Sequence, residues 1–461
     1  MADAGRRGAG AAAAAAVKFL AILAGALLLA WPAAFNGYPL VFIDSVSYLN
    51  HTTLPETPWD KTQAYGPFLH LVHWQVSLWP AVLAQGLMAS HLIWLAQRMV
   101  RGTATRAAHL LVCGALAALS AAPWFLATLM PDALTALVPL ALILLGFGRL
   151  SRTETAWVAL VGALAIAAHL SHLPTAAAMV ALTVLLARRP GPVLRAALPL
   201  GLALAFLATS NLLAFGRATL SPHGSVFLLA RLQDDGPAAA VIRARCTSSP
   251  QGAGWHLCAF ADRLPMDSDT FLWDGTSPLN RNADGSPRPM GGVAGAAEAR
   301  EIIAATLREY PGAVAGAMLR NAITQLLKPR VGDTLGNEHL ALSARIPIAR
   351  SFPSGELAAF DAGLQMQGAL QARAAPLLAP HIPVLLLSLS GALWLLWRAL
   401  RARDTPRAAL LAGALLALLA NAAATGALSK PHERYQARIV WLLPLAVMLG
   451  ALPAARRDAA S

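Results

Sequence analysis

The stretch AALLAGALLALLANAAATGAL, residues 408–428, runs for 21 residues without a charge. As a helix it rises about 30 Å, the thickness of the hydrocarbon core of a bilayer. It follows RARDTPR, residues 401–407, where three arginines accompany one aspartate. An apolar run closed by arginines is the pattern of a membrane span whose basic end faces the cytoplasm. The same alternation recurs along the chain, and it places spans at 17–35, 76–97, 107–123, 133–147, 156–169, 174–187, 196–215, 381–400, 408–428 and 439–452. The expected fold is therefore an all-α polytopic membrane protein of about ten transmembrane helices, with 57% hydrophobic and only 13% charged residues. Soluble domains carry about a quarter charged residues. A seven-span module occupies 1–216, with a first outer loop at 36–75; a large mixed outer region follows at 217–380, and three further spans at 381–461.

The charges agree with an orientation in which both termini lie inside. Seventeen of the 36 basic residues, among them Arg6, Arg7, Arg98, Arg101, Arg152, Arg403, Arg456 and Arg457, then fall on the inner side. Only four of the 23 acidic residues, Asp3, Glu154, Asp404 and Asp458, join them, so the inner face carries +13 and the outer face balances to zero. The net charge of +13 is accounted for by the positive-inside rule, and no nucleic-acid partner is needed. The expected location is the inner membrane of a bacterium, with the large region in the periplasm. Arg6, Arg7 and the alanine run 11–16 resemble the start of a signal peptide, but the apolar stretch continues through Trp31 and Pro32 and reads as a retained first span.

Cys113 falls in a span and reads as a small apolar side chain. Cys246 and Cys258 both fall in the large outer region, in CTSSPQGAGWHLC, where Gly252 and Gly254 let a short ring close. An oxidising periplasm favours a disulfide between them. The stretch between Gly252 and Gly292 is expected to be mostly irregular, while 296–328 turns helical, breaks near Pro311 and suits the membrane surface. Soluble-enzyme signatures are missing: there is no P-loop, no GxGxxG, no GxSxG and no HExxH. Asp267-Ser268-Asp269 has the DxD spacing of nucleotide-sugar transferases, but it stands on the side where nucleotide sugars are not normally supplied. His169 and His172 read as histidines wetting a helix end.

Polar groups gather at the outer ends of the spans. In FIDSVSYLNH, residues 42–51, helical spacing puts Asp44, Tyr48 and His51 on one face. Asp44 is either a helix cap or a catalytic carboxylate, and the residues alone leave both open. Asp132 follows Met130-Pro131 at the start of a span, where a cap explains it and a solvated outer cavity also would. The last outer loop, SKPHERYQAR at 429–438, concentrates Lys430, Arg434 and Arg438, with His432 and Tyr435 between them. Anionic lipid headgroups or a lipid-linked phosphate would both suit these cations.

Three of these features together resemble the GT-C glycosyltransferases, the polyprenyl-phosphate-sugar enzymes that include aminoarabinose transferases and protein O-mannosyltransferases. They are FIDSVSYL after the first span, MPDALTAL after the third, and HERYQARIVWLLPL in the last outer loop. The resemblance implies transfer of a sugar from a polyprenyl-phosphate donor to a periplasmic glycan, lipid or protein. It also implies Asp44 as the base or acceptor-orienting carboxylate, Asp132 as a second acidic group, and Lys430, Arg434 and Arg438 as the holders of the donor phosphate. Tyr48, His51, His432 and Tyr435 are the candidates for further substrate contacts. Ser45 stands where the family more usually has the second of two acidic residues, so a divalent metal is left open and no cofactor is assigned.

The chemistry is coherent, since an attacking hydroxyl needs a base and a phosphate leaving group needs fixed cations. Two other classes share the features: a transporter or flippase of a lipid-linked glycan, and an acyl or phosphate-group transferase facing the periplasm. Transporters usually keep ionisable groups within the bilayer, and here all 23 acidic residues fall outside the ten apolar runs.

Overall fold

The computed structural model describes residues 2–55, 57–247 and 254–453, with side chains from residue 13 onward. Gly252, Arg456, Arg457 and Asp458 lie outside the described residues, as do the side chains of Asp3, Arg6 and Arg7. The chain opens with α1 (Ala2–Asn36), two short helices α2 (Ser45–Thr53) and α3 (Tyr65–His73), and then α4 (Trp79–Arg101) and α5 (Arg106–Leu119). A short helix α6 (Ala122–Leu126) and a 3-10 turn (Pro131–Leu134) lead into α7 (Leu137–Phe147), α8 (Arg152–Ala168), α9 (His172–Ala187) and α10 (Pro190–Phe215). The next region holds α11 (Ser225–Asp234), α12 (Pro237–Thr247), α13 (Ser268–Trp273), α14 (Gly291–Ala294), α15 (Ala296–Glu309), α16 (Pro311–Leu326), α17 (Arg345–Ser351), α18 (Ser354–Ala362) and α19 (Leu370–Leu378). The chain then returns through α20 (His381–Arg401), α21 (Thr405–Leu428), α22 (Glu433–Val440) and α23 (Leu442–Ala451).

The bundle is apolar on its outer surface as well as in its core. Leu111, Leu185, Leu194, Leu213 and Leu387 are each more than two-thirds exposed, whereas every residue of α7 from Leu137 to Gly146 is buried. Helices α4, α8, α9, α10 and α21 pack around α7. Leucines turned outward all around a helical bundle need lipid, and the chain is a helical membrane protein. Close approach between helices is set by small residues. A Cβ at Gly86 of α4 would stand 2.9 Å from the Ala26 carbonyl of α1, so only glycine lets these two helices touch there.

Among the described residues five helices, not ten, are long and apolar enough to cross a bilayer: Ala13–Asn36, Trp79–Arg101, Pro190–Phe215, Leu370–Arg401 and Thr405–Leu428. Of the other expected spans, 156–169 and 174–187 form helices α8 and α9 of 17 and 16 residues, and three are cut short by local chemistry that an apolar count does not see. The 107–123 run ends as a helix at Leu119, because the Ser120 hydroxyl donates to the Leu116 carbonyl and accepts from the Ala122 amide, turning the chain. At 1.5 Å per residue the remaining 14-residue helix is about 21 Å long. Pro131 opens a 3-10 turn that trims 133–147 to α7, and 439–452 is divided at Trp441 between α22 and α23.

The region 217–380 contains no strand among the described residues, only an isolated bridge from Arg281 to Pro287, which corrects the expectation of a mixed region. It divides by what it packs against. Val226, Leu229, Ile242, Leu257, Phe271, Leu279 and Ile302 form a core of their own. Leu335, Leu340, Ile348, Phe360 and Leu370 join the core of the bundle instead. Gln365 fixes that second half: its amide donates to the Val41 carbonyl at 2.8 Å and its Oε1 accepts from the Val41 amide at 3.1 Å. The expected break near Pro311 separates α15 from α16, and α16 lies along α21.

Candidate active site

Two extended segments bring the acidic motifs together. The Leu40 amide donates to the Ala127 carbonyl at 3.0 Å, and the Leu129 amide donates to the Leu40 carbonyl at 2.8 Å. The chain before Asp44 is thereby sewn beside the chain before Asp132. Ser45 locks the pair: it is fully buried, donates from Oγ to the Leu129 carbonyl at 2.9 Å, and accepts from the Phe42 amide at 3.0 Å. Ser45 is thus a clamp between the two segments. Asp44 and Asp132 both line one cavity of about 440 Å³.

Asp44 makes no capping hydrogen bond to α2. Its carboxylate sits between two cations, Lys61 Nζ at 2.9 Å and Arg434 Nη1 at 3.2 Å, and its side chain is one-quarter exposed. Burial alone would raise the Asp44 carboxyl, but Lys61 and Arg434 outweigh it and hold the group well below the ordinary carboxylate range. Lys61 also meets Asp60 at 3.0 Å. Arg434 is fixed from three sides: its guanidinium lies 4.4 Å from the Phe42 ring centre, its Nη2 donates to the Tyr435 hydroxyl at 3.2 Å, and its amide donates to Asp333 at 2.8 Å.

The second pair differs. Arg438 is fully buried and meets Asp132, itself 3% exposed, at 3.2 Å; it also donates to Ser171 Oγ at 2.8 Å and to Asn421 Oδ1 at 3.4 Å. Arg438 does not line the cavity, so it braces Asp132 from behind and is not placed to take a ligand phosphate. Lys430 likewise stands off the cavity. It grips Asp267 and Asp269, the latter at 3.1 Å, while His432 meets Asp269 at 3.3 Å. The His432 hydrogen bond, with help from Lys430 and against burial, holds the Asp269 carboxyl down to about 2. The DxD residues therefore tie α13 to the 429–432 loop, and Asp267 also caps α13 by accepting the Asp269 and Thr270 amides.

Tyr48, His432, Arg434 and Tyr435 line the cavity with the two aspartates; Tyr48 is buried edge-on to Tyr65 with ring centres 5.1 Å apart. His51 does not join them, because α3 covers it and Gly66 packs against its ring. Cys246 and Cys258 are joined in a disulfide with Cα atoms 5.2 Å apart, away from the cavity.

Sequence reasoning missed Lys61, Asp60 and Trp273, which line the cavity, and Ser171 and Asn421, which hold Arg438. Lys61 had a signal. Only four of the 36 basic residues are lysines, and two of these four, Lys61 and Lys430, stand at or beside this site. The cavity is charged where Asp44, Asp60, Lys61 and Arg434 meet, and apolar where Leu170, Pro174 and Leu428 line it from the bundle. The donor set does not suit a divalent ion: each carboxylate is engaged by cations, and among the described residues no three metal-binding side chains cluster. Set against family models, curated proteins and solved structures, the chain matches none of them.

Proposed function

We propose that this chain is a GT-C-type membrane glycosyltransferase that moves a sugar from a polyprenyl-phosphate donor to an acceptor hydroxyl on the periplasmic side of a bacterial inner membrane. In this reading the short helices α5, α7, α8, α9 and α23 complete a bundle of about ten crossings, with both termini in the cytoplasm. One observation carries the reading. A carboxylate, Asp44, is held between Lys61 and Arg434 at the charged end of a cavity whose other wall is apolar and belongs to the bundle. A ligand with an anionic head and a hydrocarbon tail fits both ends at once.

The chemistry follows from those positions. The acceptor oxygen forms a bond to the anomeric carbon as the bond from that carbon to the phosphate oxygen breaks. Asp44 takes the acceptor's proton, and the electron pair leaves on the phosphate, whose charge Lys61 and Arg434 neutralise. Bound phosphate competes with Asp44 for the two cations. As they turn toward the donor the carboxylate loses the charges that hold it ionised and becomes a better base where the base is needed.

The test separates the roles. Lys61→Ala and Arg434→Ala are expected to weaken binding of a polyprenyl-phosphate sugar about tenfold or more each, as for loss of one charge-assisted contact. Asp44→Asn is expected to leave binding intact or tighter. Equal binding by all four proteins, measured on nanodisc-held samples, contradicts the assignment.

A further inference from the structure

A pyranose ring presents hydroxyls at its rim and C–H groups on its faces. Those hydrogens carry partial positive charge and seat on the electron-rich face of an aromatic ring. Beside the charged end of the cavity, three aromatic side chains build such a face. The rings of Trp59 and Phe227 stack with centres 5.8 Å apart and planes 30° apart, and Trp273 lies 6.0 Å from each. Trp59 is wedged in place over Gly292, where an added Cβ would come within 2.2 Å of its Cη2. The stack is therefore anchored at its back.

Its front is open. Trp273 lines the cavity and is 51% exposed, on a helix fixed by the Asp267 cap and the Lys430 grip. Interfacial tryptophans of a membrane protein face outward beside basic residues, as Trp394 and Trp397 do against Arg398 and Arg401. Trp273 instead borders a space shared with Asp44, Asp60 and Lys61. The Lys61 ammonium lies 5.9 Å from the Trp273 ring centre and 2.9 Å from Asp44, so the indole stands one lysine head group away from the carboxylate.

We propose that Trp273, backed by Trp59 and Phe227, is the stacking platform for the pyranose ring of the donor, with the adjoining phosphate on Lys61 and Arg434. The inference rests on the phosphate-linked-sugar reading given above and adds a sugar subsite supplied by the 217–380 region. A ring bonded to a phosphate held by Lys61 falls beside Trp273, and its anomeric carbon falls beside Asp44. Specificity for the sugar then resides in α13 and the first loop.

Soluble sugar 1-phosphates probe this without requiring turnover. The full chain in nanodiscs of neutral lipid is titrated, by ligand-observed NMR, with the 1-phosphates of glucose, galactose, mannose, N-acetylglucosamine and xylose, and with methyl phosphate as the ringless control. At least one sugar phosphate is expected to bind about tenfold more tightly than methyl phosphate, with saturation transfer strongest at the C–H protons of one ring face. Trp273→Ala is expected to abolish that preference and Trp273→Phe to keep most of it. Lys61→Ala should weaken sugar phosphates and methyl phosphate alike. The proposal is overturned by a parent protein with no preference for any sugar phosphate, or by a folded Trp273→Ala variant that keeps it. A Trp273-dependent preference in a protein that transfers no sugar from polyprenyl donors would sink the transferase reading alone.

Discussion

Asp44 and Asp132 are each paired with an arginine of the same short helix, α22, yet their surroundings give them different work. Asp44 is partly exposed to the cavity and shares two cations, while Asp132 is sealed against one. The depressed Asp44 carboxyl has a consequence in pH. Because its folded value lies below its unfolded value, near 3.9, its pairing contributes stability above that pH and loses it as pH falls through the folded value. Asp44 therefore stays ionised in the free protein, and kcat/KM should show no acid limb from it between about pH 5 and 7. In Lys61→Ala one countercharge is gone and Asp44 rises, so the acid side of the profile should move to higher pH than in the parent; coincident profiles for parent and variant contradict the role of Lys61. The aspartates were legible because each is a charge interrupting apolar sequence, and Arg434 because it belongs to a cluster of cations in a short outer loop. Lys61 was not, since nothing in PWDKTQ reveals that the loop folds back onto Asp44, and only the rarity of lysine hints at it.

At the scale of elements, α22 is the piece that positions the site, and its buried side is polar. Arg438 there meets Asp132, Ser171 and Asn421, while Gln436 Oε1 accepts from Asn421 at 3.0 Å. Removing one partner of a buried ion pair leaves an uncompensated charge and costs about 3–5 kcal/mol. Arg438→Ala is thus expected to lower the thermal midpoint and the yield sharply, and an added Asp132→Asn to recover part of the loss. Arg434→Ala, whose partner reaches the cavity, is expected to keep the fold. Similar midpoints for both single variants would contradict the division between a brace and a binding residue. Sequence singled out Lys430, Arg434 and Arg438 together but not that each meets a different carboxylate. Charge and spacing say which residues are near one another, and the burial that separates Arg438 from Arg434 comes from the neighbouring helix α21 and from Asp132 and Ser171, which are remote in the chain. Helix lengths were misjudged for a related reason. Ser120 ends α5 through local hydrogen bonds, Pro131 opens a 3-10 turn ahead of α7 and Trp441 divides α22 from α23, all while leaving hydrophobicity nearly unchanged.

For the whole molecule, the membrane setting was legible from composition, and the outward leucines agree with it. The number of helices long enough to cross alone was not, because an apolar run such as 133–147 does not show that the turn at Pro131 leaves only the 11 residues of α7. The division of 217–380 between a separate core and the bundle was also hidden, resting on contacts such as Gln365 with Val41 that join residues far apart in sequence. The proposed orientation follows from the +13 against zero division of charge. Reporter fusions after Arg101, Arg152 and Arg403 should read as cytoplasmic and a fusion after Gly275 as periplasmic; a cytoplasmic Gly275 would put the cavity on the wrong face.

The central claim is that the cavity breaks the bond between a sugar and a lipid phosphate, with Asp44 as the base. The direct measurement is release of free polyprenyl phosphate from polyprenyl-phosphate sugars by the purified chain in nanodiscs supplied with a hydroxyl acceptor. The parent protein should release it. Asp44→Asn should do so about 10²–10⁴-fold more slowly while still binding the donor and remaining folded. A folded Asp44→Asn protein working at the parent rate, or a parent protein that moves the intact lipid-linked sugar across the bilayer without cleaving it, would contradict the account.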